Sequence, residues 1–464
     1  MKTYDVIVIG SGGGAKIARG LAQMGRRVAL VEQDQAGGTC LNRGCIPSKM
    51  LIYPASLAEK IRLLHKFHMD AEHRRIDFGA LVKSINDYTD SVSDQQRQDW
   101  HGMPHLDYLT GTARFRAERE VIVGAEVLAA ERIVIATGSR PFIPDIPGLA
   151  ATPFMTSAAA LRNRTLPQRL AVLGGGYIAA ELGGAYAALG SDVTFLLRRT
   201  FLRREDADIV AEFDAHFTPG KTVYTHTQID AVRHQDGIFQ LACRHVSGDE
   251  FHVESDALLV ATGVRPNTDS LGLAHTGIEV NADGFIAVDD YLQTTVPGVY
   301  ALGDVAGNFL FRHSVNFEAE YWLQANVCST QPFPIDYPPM PSAVFTHPEI
   351  ASVGLTESAA RRMGHELVVA QVPYTSCAMA VARGVDHGLV KLLFDRAAAR
   401  LLGAHIVGEE AASLIQELVL AMSHRLTVQD LYRQVYIHPA YPEVVRNAVR
   451  KALIQFEPGR SVLF

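Results

Sequence analysis

Cysteine is scarce in this chain: five residues among 464, an odd number that makes no closed disulfide framework and that suits a reducing compartment. Nowhere do 18 apolar residues run together, so no segment is predicted to span a membrane. The amino-terminal stretch MKTYDVIVIGSGGG breaks its apolar run at Asp5 and ends it in glycines. It lacks the apolar core and cleavage site of a secretory signal and reads instead as a buried strand. Lys and Arg form no long basic stripe, and the formal net charge is −7, which argues against nucleic acid as a partner. These absences leave a cytoplasmic protein as the expectation. Hydrophobic residues at 48% and charged residues at 20% are ordinary for a folded chain, and the length calls for more than one core.

What is present begins with a repeat. Residues 3–32 read strand, glycine-rich turn, helix, strand, a βαβ unit, and residues 169–198 repeat the same order and spacing. In the first turn Gly10, Gly12 and Ala15 spell G-x-G-x-x-A, and Glu32 closes the second strand, placed to accept hydrogen bonds from a ribose diol. In the second turn Gly174, Gly176 and Ala179 repeat the arrangement, but the acid position is Leu197, followed by Arg198, Arg199, Arg203 and Arg204. Guanidinium groups suit a 2′-phosphate, so this half is expected to prefer NADPH over NADH. Proline clusters at 140–153 and 331–341 mark joints. The expected division is a first dinucleotide unit over 1–150, a second over 151–265, a segment 266–340 completing the first, and an α+β module over 341–464.

Two of the five cysteines, Cys40 and Cys45, stand close together in GGTCLNRGCIPSKM, whereas Cys243, Cys328 and Cys377 are scattered and read as core filler. Five residues of helix rise about 7.5 Å, so the pair can bridge only if the chain between them bends, a freedom that Gly44 offers. A helix beginning near Cys45, with Lys49 in its first turns, would keep one sulfur reactive as thiolate. Zinc is the rival reading, but no second Cys or Cys/His pair has the spacing for a four-ligand site, and no metal is expected.

Two further repeats, ATGSRP (136–141) and ATGVRPN (261–267), and the stretch TTVPGVYALGD ending at Asp304 complete a set. Together with the cysteine stretch and both glycine turns, these motifs resemble the FAD-dependent pyridine nucleotide–disulfide oxidoreductases, the family of glutathione reductase, dihydrolipoamide dehydrogenase, mycothione reductase and mercuric reductase. The resemblance runs from Tyr4 to about Ala448. It implies an α/β fold of two Rossmann-like domains, the first for FAD and the second for NAD(P)H, with 341–464 as a dimerisation domain. It also implies that Thr39 and Gly138 border the FAD, that Asp304 holds its ribityl chain and that His313, at the start of a helix with Asn316, faces the flavin. Gly263 would border the NAD(P)H, and Tyr177 would cover the nicotinamide pocket. Lys49 would sit beside the flavin, paired with Glu181.

By the same resemblance Cys45 is the sulfur next to the flavin and Cys40 the thiol that attacks a substrate disulfide. In YIHPAYPEVV, His438 oriented by Glu443 offers a proton manager for sulfur chemistry. The family match places that pair in the partner subunit's active site, hence a homodimer. His347, in FTHPEIASVG, reads as a structural turn. The implied reaction passes hydride from NADPH by way of FAD to a Cys40–Cys45 disulfide, which then reduces a small disulfide of the mycothione or glutathione disulfide type. The ending HPAYPEVVRNA and the segment RHSVNFEAE are similar to those of mycothione reductases. Dihydrolipoamide dehydrogenase, with NAD and a place in a multienzyme complex, is the alternative, and the missing acid at Leu197 counts against it. EPGRSVLF carries no cysteine pair, which counts against mercuric reductase and large thioredoxin reductases. From another class, a flavin-bound redox sensor or structural subunit would have no need for Cys, His and Glu together.

Overall fold

The computed structural model describes residues 1–70 and 76–459. Strand β1 (Lys2–Ile9) buries its VIVI run, as a parallel strand covered on both faces requires. It runs parallel to β2 (Val28–Glu32) on one side and to strand Glu126–Ile135 on the other. Helix α1 (Gly14–Gln23) makes the crossover and buries Ile17, Ala18 and Leu21 against the sheet. Strand Leu106–Thr110 extends the sheet beyond β2, and an antiparallel pair, Glu120–Val123 and Ala113–Ala117, extends the other side. Strand Val299–Ala301 pairs in parallel with Glu126–Ile135, so the chain returns to its first sheet after an excursion of more than 150 residues.

The excursion is the second unit. Strand Arg169–Leu173 lies between Asp192–Leu196 and Ala257–Val260, with Thr222–Tyr224 at the edge, all parallel. The backbone bond from the Gly10 amide to the Val31 carbonyl, 2.8 Å, has its counterpart from Gly174 to Leu196, 3.1 Å. That equivalence puts buried Leu197 where the first unit has Glu32. The two units are tied by their repeated motifs: Ser139–Pro141 pairs antiparallel with Val264–Pro266, Arg140 opposite Arg265.

After the irregular stretch 331–341, the chain builds a five-stranded antiparallel sheet in the order Ser342–Val344, Ile350–Gly354, Leu401–Val407, Leu389–Asp395, Leu367–Pro373. Helices Ala411–Ser423 and Pro442–Phe456 cover it, burying Leu418, Val445 and Ala448 in one core. No helix among the described residues is long and apolar enough to cross a membrane. Cys243 and Cys377 are buried as expected, but Cys328 is not core filler. It lies in the last turn after helix Arg312–Leu323, just before the irregular stretch, and is exposed.

One buried cation joins the C-terminal module to the second unit. Lys391, 1% exposed, reaches Asp206 at 2.8 Å, Asp208 at 2.6 Å and Glu357 at 2.7 Å. Burial alone would lower its pKa, but three carboxylates outweigh that and raise it. Asp206, 2% exposed, is pushed up by burial yet held below the usual carboxylate range by Lys391 and the Glu357 amide. Lys391→Met strands that buried carboxylate, and a loss of about 3–5 kcal/mol is expected in denaturant titrations near pH 7. The deficit shrinks in acid, where protonation of Asp206 removes the unpaired charge.

Candidate active site

The site is assembled where the first glycine turn meets the cysteine stretch. Gly10 has φ +102°, and a Cβ there would stand 2.3 Å from the Ala136 carbonyl oxygen. Gly174 repeats this with φ +123° and 2.2 Å to the carbonyl oxygen of Ala261. The repeated Ala-Thr-Gly motifs are thus the strand ends against which each turn closes. Gly38, with φ +69°, approaches so near that its Cβ would lie 2.7 Å from the Gly12 Cα. Glu32 fastens this contact: its carboxylate accepts from the Ser11 amide at 2.9 Å and hydroxyl at 2.6 Å, while the Ser11 oxygen accepts from the Gly37 amide at 3.0 Å.

From there α2 (Gly38–Arg43) carries Cys40, and α3 (Cys45–Leu63) begins at Cys45. The bend falls at Gly44, where a Cβ would stand 3.0 Å from the Thr39 carbonyl oxygen. The two helices bring the thiols into hydrogen-bond contact, and the contact divides their chemistry. Cys45 is drawn down to about 7 by the bond from Cys40, against desolvation and with help from Lys49 and Arg312. Cys40 is pushed up by that same bond and by burial. The direction favours the thiolate on Cys45 and the proton on Cys40. Lys49 is held by Glu181 at 2.8 Å and lies 4.4 Å from the centre of the Phe345 ring, and Glu181 also accepts from the Phe345 amide at 3.0 Å.

A continuous cavity of about 2900 Å³ runs past both turns and the thiol pair. The expected site residues line it, apart from Ala15 and Ala179, buried behind the turns, Asn316, and His438 with Glu443. Thr39 is exposed to the cavity, and a Cβ on Gly138, Gly263 or Gly176 would meet open space. Asp304 accepts from the Ser139 hydroxyl at 2.6 Å, and burial pushes its carboxyl up against that bond. Tyr177 donates to Glu205 and stacks on Phe311 with centroids 6.3 Å apart. His313 also stacks on Phe311 at 5.1 Å and reaches the Pro341 carbonyl at 2.9 Å. The side-chain-free turn at Gly12, the acid at the end of β2 and the half-buried Asp304 carboxyl are the room and the acceptors of the kind FAD requires. Leu197 with exposed Arg198 and Arg204 gives the second turn a different character.

His438 lies outside the cavity, its side chain 68% exposed, with Nδ1 3.0 Å from both Glu443 oxygens. Burial raises Glu443, but bonds from His438 and the Ala440 amide and the nearby Arg446, 2.8 Å away, hold it below the usual range. Val435 and Ile437, 93% and 77% exposed, flank the histidine. His347 is half-buried beside His387, and desolvation takes it down to about 4, in keeping with a structural role. Three side chains escaped the sequence reading: Phe345, Glu205 and Arg312. Arg312 directly precedes His313 in a segment already singled out, and its charge was the signal.

Alkylation of the reduced protein by iodoacetamide, followed at the Cys45 peptide, is expected to rise through about pH 7. Lys49→Met is expected to move that rise up by about one unit.

Residues 4–329 match the sequence family described as pyridine nucleotide-disulphide oxidoreductase, and residues 340–449 match its dimerisation domain. Mycothione reductase of Mycobacterium tuberculosis is 37% identical over 97% of this chain and 99% of its own length. Mercuric reductase of Acidithiobacillus ferrooxidans is also 37% identical, over 96% of this chain and 82% of its own. Among solved structures, the Cu(II) complex of the HOCl-induced flavoprotein disulfide reductase RclA from Escherichia coli superposes with a TM-score of 0.88 at 29% identity, covering 97% of this chain and 99% of that one. The chain belongs to the pyridine nucleotide-disulphide oxidoreductases, flavoprotein enzymes that work with FAD and a pyridine nucleotide.

Proposed function

We propose that this enzyme reduces a small disulfide, of the mycothione or glutathione disulfide type, with NADPH, using Cys40 and Cys45 as its redox pair and two copies of the chain to complete each site. The observation that carries the reading is the placement of both thiols, at the meeting of two helices, in the one cavity that both glycine turns share, with Lys49 beside Cys45 favouring the thiolate there. A nucleophilic Cys40 then needs a base. His438, oriented by Glu443 and exposed outside its own cavity, is suited to serve the partner subunit's, and the family's dimerisation domain supports that arrangement.

Bound FAD supplies the two-electron chemistry that returns a Cys40–Cys45 disulfide to the dithiol at the expense of reduced pyridine nucleotide. The chain's own residues do the rest. His438 of the partner subunit takes the Cys40 proton, and the Cys40 thiolate attacks one sulfur of the substrate, forming a mixed disulfide and expelling a thiolate. The imidazolium returns its proton to that leaving group. Cys45 then attacks the Cys40 sulfur, re-forming the internal disulfide, and the second thiolate leaves and is protonated from solvent. One substrate disulfide becomes two thiols. Lys49, held by Glu181, keeps a positive charge beside the thiolate throughout.

NADPH is favoured because Leu197 replaces the acid at the end of the second unit's strand and Arg198 and Arg204 border the cavity unpaired among the described residues. The small-thiol substrate is supported by the histidine–glutamate pair and by similarity to mycothione reductase, with a cytoplasmic setting as the matching compartment.

Steady-state assays of mycothione, glutathione disulfide and lipoamide with both coenzymes test the reading. Turnover of one small disulfide with NADPH, abolished in Cys40→Ser and lowered about 10²- to 10⁴-fold in His438→Ala, is expected. Turnover of none of the three, or full activity in Cys40→Ser, overturns it. Replacing both Arg198 and Arg204 with Met is expected to lower kcat/KM for NADPH about 10- to 100-fold with little change for NADH. A parent enzyme that prefers NADH refutes the coenzyme assignment.

A further inference from the structure

Arg312, the first residue of helix Arg312–Leu323, lines the cavity and is half-buried, and the reaction described above gives it no task. Its Nη1 stands 3.9 Å from where a Cβ on Gly12 would be, so the guanidinium reaches across to the first glycine turn from the opposite wall. It also lies close enough to Cys40 and Cys45 to draw both thiols toward thiolate. Nearby cations are committed elsewhere: Lys49 to Glu181, Arg43 to Asp34 and Lys16 to Glu320. Among the described residues no carboxylate pairs with Arg312. The cavity's acids are bonded elsewhere: Glu32 to Ser11, Glu181 to Lys49 and Asp304 to Ser139.

A partly buried guanidinium without a partner is costly unless an anion arrives to meet it. Arg312 stands at a helix N-terminus, where the backbone amides add potential of the same sign. The groups that face Cys45 are Cys40 from α2, Lys49 from α3 with Glu181 behind it, and Arg312. Of these, Arg312 alone carries a charge that the protein does not already balance.

We propose that Arg312 is a positioning residue of this reaction, the counter-charge for the negative charge the site carries when reduced, on the Cys45 sulfur and on the bound FAD. The assignment rests on the reading of Cys45 as the flavin-side thiolate. Turnover of substrate plays no part in its test, so a wrong substrate class and a wrong role for Arg312 give different failures.

The test uses purified holoenzyme with Arg312→Met and Arg312→Lys. Two quantities are measured: the pH profile of iodoacetamide labelling at the Cys45 peptide, and the midpoint potential of the enzyme's two-electron couple. In Arg312→Met the profile is expected to move up by about one unit, leaving about tenfold less thiolate at a given pH below the rise, and the potential to become more negative. Arg312→Lys, which keeps the charge, is expected to hold both near the parent values. An Arg312→Met profile superimposable on the parent's overturns the proposal, whatever the potential does. Should Arg312→Met be isolated without flavin, its profile is read against flavin-stripped parent protein, where displacement supports the role and coincidence refutes it.

Discussion

The close approach of Gly38 to Gly12 is the constraint on which this active site depends. With a Cβ on Gly38 only 2.7 Å from the Gly12 Cα, no side chain fits between the two backbones. The consequence is positional: the nucleotide turn and the redox cysteines become one surface rather than two neighbouring ones. Glu32 and Ser11 hold that surface with a chain of short hydrogen bonds ending on the Gly37 amide. The acid that closes β2 therefore does structural work even before any ribose is considered. Everything downstream, the bend at Gly44, the start of α3 at Cys45 and the placing of Lys49, follows from where this contact sets the chain down.

Much of this was legible in the sequence because its signals are local. The two βαβ units, the glycine turns and the change of pattern near residue 341 are each written in adjacent residues, and the fold contains them. The pairing of Lys49 with Glu181 was legible only through resemblance, since 132 residues separate them and no spacing rule connects two such distant positions. Cys328 was misread because scattered cysteines are usually buried, whereas this one falls at a helix end beside an irregular stretch. Arg312 and Phe345 were missed for another reason. Their importance comes from what stands opposite them across a cavity, and a one-dimensional string does not record opposition.

The electrostatics of the site are built by pairing most charges and leaving few unbalanced. Lys391 is surrounded by three acids, Lys49 is matched by Glu181, and Glu443 is shared between His438 and Arg446. These closed pairs fix geometry without contributing much net field. Against that background the lowered Cys45 and the uncompensated Arg312 stand out, and so does the exposed imidazole of His438 among uncovered apolar neighbours. A single protomer thus holds its thiol pair in the cavity and the imidazole of His438 outside it. The match to the family's dimerisation domain is in keeping with a base on one surface serving a thiol pair on another.

The antiparallel match of Ser139–Pro141 with Val264–Pro266 constrains the length of the chain on both sides. Both strands carry the same repeated motif, and among the described residues each is the other's only ladder partner in a two-stranded sheet. An insertion or deletion in one copy shifts its register against the other, so neither half is free to drift in length at this point. The seam therefore locks the two repeated motifs to a common length, while the glycine turns on either side are free to differ, one closing on Glu32 and the other on Leu197.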